Sequence, residues 1–96
     1  MKDWEITNAQ QAVNIVAAVM AGQPRQAVEV ELRDWLDRRG AMLPEPLRSR
    51  VVDAVTRGAT IVTLRVAGQG GHDVQDLAVD VVAYGSDGEF APRIAG

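Results

Sequence analysis

Cysteine is absent from this chain of 96 residues, and histidine occurs once. Without thiols there is no disulfide framework and no thiolate chemistry, and nothing in the composition signals an oxidising compartment, so the expected location is the cytoplasm. Other routes to catalysis are thin. The serines are Ser49 and Ser86 alone, and neither stands in the Gly-x-Ser-x-Gly setting that exposes a nucleophile on a tight strand-to-helix turn. Basic residues are in the minority, 10 against 13 acids, for a net charge of −3 and a pI near 5.0. That balance gives no global attraction to phosphate backbones or anionic membranes, and it favours a protein partner with a basic surface.

Charge of either sign is missing from residues 6–24, a run of 19. Its apolar part, 15–21, falls far short of the roughly 20 residues a spanning helix needs, so no membrane span is expected. The opening "MKDWE" carries two acids against one lysine, unlike the basic start of a signal peptide. What is present fits a globular chain: 47% hydrophobic and 24% charged residues argue against disorder, and the length suits one domain, 1–96, with a small core.

Along the chain, "KDWEI" alternates, Trp4 and Ile6 against Asp3 and Glu5, and reads as a short edge strand. Thr7 with Gln10 matches a capping box and Gly22 a helix stop, which places a first helix over 8–21. Pro24 at its start and Gly40 at its end delimit a second, 24–39, with Val28, Leu32, Trp35 and Leu36 on the buried face. The prolines of "AMLPEP" break the chain, and a third helix over 45–57 buries Leu47, Val51, Ala54 and Val55 before Gly58. From Thr60 the period becomes two. Val62, Leu64 and Val66 share a face, "GQGGHDVQD" intervenes, and Leu77, Val79, Val81 and Ala83 resume the alternation, predicting a β-hairpin with Arg65 and Asp80 paired on its outer face. "EFAPRIAG" is a third strand or an anchored tail. The expected fold is α+β, with three helices on one face of a two- or three-stranded antiparallel sheet.

Helices followed by a hairpin resemble, in element order, the winged helix-turn-helix family, which implies a DNA-binding regulator using Arg48, Arg50 and Arg57 of the third helix. Asp53 lies among these arginines, and the loop where a wing would sit holds Asp73 and Asp76 with no basic residue, so nucleic acid is the less favoured partner. "GQGGHD" lacks the Gly-Lys-Ser/Thr ending of a phosphate loop, and His72 with Asp73 and Asp76 sits on a glycine-rich tip that holds no ligand rigidly. No enzyme activity, metal or cofactor is expected.

"AVNIVAAVMAG", 12–22, is apolar nearly all round. One arrangement makes it a central helix between the sheet and the other helices; the other leaves a side exposed for a homodimer, with Asn14 setting register and Ala17, Ala18 and Ala21 allowing close approach. The functional expectation is a small acidic, non-catalytic protein-binding module with the size and charge of inhibitors such as antitoxins, immunity proteins and phage anti-CRISPR proteins. Glu29, Glu31, Asp34 and Asp37 of the second helix, with Asp73 and Asp76, are the candidate contacts to a basic target.

Overall fold

A computed structural model describes residues 2–69, 77–85 and 88–89. The fold is α+β: α1 (Asp3–Met20), α2 (Arg25–Arg38), α3 (Glu45–Thr56), then β1 (Ile61–Gln69), β2 (Leu77–Gly85) and the two-residue β3 (Gly88–Glu89). The strands form one antiparallel sheet in the order β1-β2-β3.

The edge strand expected at "KDWEI" is instead the first turn of α1. Asp3 and Glu5 lie in that turn, where carboxylates meet the positive end of the helix dipole. Glu5 Oε1 also accepts from the Lys2 backbone N–H at 2.9 Å, which satisfies one of the unpaired donors of a helix start. Trp4 and Ile6 then part company, since two residues on a helix turn through about 200°: Ile6 joins the core and Trp4 is exposed. Thr7 is consequently mid-helix, and the Thr7–Gln10 capping box does not form.

The other helix ends fall within a residue or so of expectation. Gly22 takes φ +81° and donates to Val55 O at 2.8 Å, joining the end of α1 to the end of α3. Gly40, at φ +64°, donates to Asp37 O. Both conformations strain any residue with a Cβ. Pro24 and Pro44 are the caps of α2 and α3, with carbonyls that accept from Val28 and Arg48.

The three helices pack on one face of the sheet in two layers. α1 and α3 lie on the sheet, and α2 packs on those two helices from behind. α1 touches α2, α3 and β1. One aliphatic cluster unites Val13, Val16, Val28, Leu32, Val51, Val55 and Val62, and the described residues include no buried polar or charged residue. Val52 joins that core although the expected face of the third helix omitted it, because α3 touches α1, α2 and both long strands. On the sheet, Val62, Leu64 and Ala83 are buried, while Val66, beside the bulge that shifts the register before Gly68, is exposed. Arg65 stands opposite Asp80, as the alternation required.

Candidate functional site

The outward side of α1 is built by helical spacing alone. Thr7, Gln11, Asn14 and Ala18 fall on one line of the wheel, with Asp3 one turn before Thr7 and Trp4 beside it, whereas Val19 is turned about 100° on from Ala18. Thr7, Gln11, Asn14, Ala18 and Trp4 are exposed, Trp4 at 56%, as is Val19 at 65%; none of these carries a charge, and Gln11 Oε1 accepts from the Arg39 guanidinium at 2.7 Å. The opposite arc, Ala9, Ala12, Val13, Val16 and Ala17, is wholly enclosed. The chain therefore realises parts of both arrangements: α1 is a central helix over most of its circumference and leaves one uncharged stripe outside.

This sorts the four residues expected at a self-association contact. Ala18 is on the stripe. Ala21 is half-buried. Ala17 is enclosed by the molecule's own core and cannot face a partner, which corrects that expectation. Asn14 is exposed, but its Oδ1 accepts from Gln10 Nε2 at 2.7 Å, so it has a partner within the chain.

The acids of α2 are also engaged. Glu29 lies 3.9 Å from Arg25 and Asp34 lies 3.3 Å from Arg38. Trp35 Nε1 donates to Glu31 Oε2 at 3.2 Å, and Arg38 stacks over the Trp35 ring at 4.9 Å from its centroid. Asp37 is exposed at the last turn. Over 25–39 four acids face four arginines, so this surface is charged but balanced. Asp73 and Asp76, with His72 and the rest of the hairpin tip, lie outside the described residues.

Comparison with models of known families, with characterised proteins and with solved structures returns no match. The surface itself carries the functional argument.

The arginines that the winged-helix resemblance singles out are held in ion pairs or bonded to the chain. Arg50 reaches Asp80 at 3.0 Å, Arg57 reaches Asp53 at 3.4 Å, and Arg48 donates to Leu43 O at 3.4 Å. Asp80 also meets Arg65 at 3.7 Å and accepts from its neighbour Val81 N at 2.9 Å. Among the described residues no three His, Asp or Glu side chains gather as a metal site would require, and no helix is long and apolar enough to cross a membrane.

Sequence reasoning missed Gln10. Its amide reaches β1, with Nε2 donating to Val62 O at 2.8 Å and Oε1 accepting from Leu64 N at 2.6 Å. No local signal announces this contact, because the capping pattern explains the residue equally well and the partners lie more than fifty positions away.

Proposed function

We propose that this chain is a small, non-catalytic protein-binding module of the inhibitor type, the class of antitoxins, immunity proteins and phage anti-CRISPR proteins. The observation that carries this reading is the outer stripe of α1, exposed and uncharged from Thr7 to Ala18 with Trp4 beside it. A partner that covers this stripe removes the exposed Trp4 ring beside it from water. A second copy of the chain is the first partner for it, because a two-fold contact buries the same patch on both copies.

The target is a protein with a basic surface, occluded by the acids of α2. Exposed ion pairs such as Glu29 with Arg25 contribute about 0–1 kcal/mol each, so their carboxylates are available to re-pair with a partner's cations at little cost. The experiment is affinity capture from the source cell with the wild-type chain, an Ala18→Glu variant and a variant with Glu29, Glu31, Asp34 and Asp37 changed to glutamine. Light scattering of the wild type and Ala18→Glu runs alongside. A target lost with the glutamine variant supports the reading; a target retained by it, or a wild type that is monomeric and captures nothing, refutes it.

The regulator reading keeps one favourable observation, the exposure of Arg48 and Arg50 on α3. The chain's net charge of −3 weighs against it, because it gives no global attraction to a phosphate backbone.

A further inference from the structure

β1 is an edge strand, with β2 as its one strand neighbour among the described residues. Such an edge offers backbone N–H and C=O groups to any extended chain alongside it. Here the place beside Thr63 is taken by a side chain. Gln10 gives one N–H to Val62 O and takes the N–H of Leu64 on its Oε1, so a single amide supplies the donor and the acceptor that a further strand would bring. Val62 O can only accept and Leu64 N can only donate, which settles the orientation of the amide. Its second N–H goes to Asn14 Oδ1 at 2.7 Å. Both donors and the acceptor of Gln10 are therefore used, and Asn14, one turn along α1, holds the amide in place. On the β2 side, Asp80 meets Val81 N in a similar way.

We propose that Gln10, positioned by Asn14, is a latch over a strand-pairing site on β1, and that the occupant of the unlatched site is β1 of a second copy of this chain. A second copy fits the registry of this site. In an antiparallel pair centred on Thr63, Val62 of one copy stands opposite Leu64 of the other. Val62 O then accepts from the second copy's Leu64 N, and Leu64 N donates to the second copy's Val62 O. These are the two groups that Gln10 holds, so release of one side chain on each copy exposes a matched set. The same registry puts Arg65 opposite Ile61, so no arginine faces another. The segment 61–66, "IVTLRV", has four β-branched residues and one charge, a composition suited to self-pairing.

The test uses the full-length chain as wild type, Gln10→Ala and Asn14→Ala, each also carrying Ala18→Glu so that contact through α1 does not enter. Amide hydrogen exchange is followed at Leu64, with Val13 and Val55 as core references. In dilute Gln10→Ala the Leu64 amide should exchange about tenfold faster or more, the factor that losing one or two net hydrogen bonds predicts, with the references unchanged. As the protein concentration rises, Leu64 should regain protection while light scattering shows a dimer. Asn14→Ala should accelerate the same amide by a smaller factor. An unchanged Leu64 rate in Gln10→Ala overturns the latch, and a faster rate with no association on concentration overturns the pairing site. Should Gln10→Ala fail to fold, an unchanged Leu64 rate in Asn14→Ala is equally decisive against the proposal.

Discussion

Ala17 and Ala18 are neighbours in sequence with opposite surroundings, and replacing each by glutamate tests the rotation of α1 directly. Ala17 is 0% exposed within an aliphatic cluster. A glutamate there places a carboxylate where the described residues include no buried polar group to receive it. The unpaired charge costs several kcal/mol and the added volume roughly 1–3 kcal/mol more. Against a total stability of about 5–15 kcal/mol, and at about 4–8 °C per kcal/mol for a chain of this size, melting should fall by about 20 °C or more, or folding should fail. At Ala18, on the exposed stripe, the change costs a few tenths of a kcal/mol in helix propensity, so melting should move by less than about 3 °C. The assay is thermal unfolding by circular dichroism at a protein concentration below any association, so that the loss of a dimer does not enter. Near-native melting of Ala17→Glu would show that position 17 reaches solvent. A collapse of Ala18→Glu would show that the stripe is covered by the molecule itself. Either result would refute the assignment of the two arcs.

Leu32 is fully buried between α2 and its neighbours, and Leu32→Ala should cost about 2–5 kcal/mol in denaturant unfolding. A mobility-shift assay with duplex DNA should show no binding at about 150 mM salt; a shift abolished by changing Arg48 and Arg50 to alanine would promote the regulator reading. Beyond the bulge, β1 and β2 remain paired as far as Gln69 opposite Leu77, so joining those residues by Asn-Gly should leave the melting temperature within about 5 °C; complete loss of folding would show that the tip is required for the core. Asp80→Asn removes a charge that faces Arg50 and Arg65 at the surface, and should change stability by less than about 1 kcal/mol in the same unfolding assay.

The features legible in the sequence are those whose causes are local. Gly22 and Gly40 stop helices because a backbone in the left-handed region strains a residue with a Cβ at the position itself. Arg65 meets Asp80 because strand alternation and the hairpin place them opposite each other, whatever packs beneath. Aliphatic spacing likewise identified Val28, Leu32 and Leu36 as the buried side of α2. Where two local rules competed, as at "KDWEI", alternation over five residues was the weaker guide: acids in the first turn and a continuous helix with its buried arc outweigh it. A charge-free helix says only that burial is permitted on every side, so the choice between Ala17 and Ala18 belongs to its neighbours α2, α3 and β1. The same holds for Gln10. An amide serves a capping box or a strand edge equally well, and it bonds Val62 and Leu64 because packing α1 against the sheet brings an open strand edge within reach of its side chain.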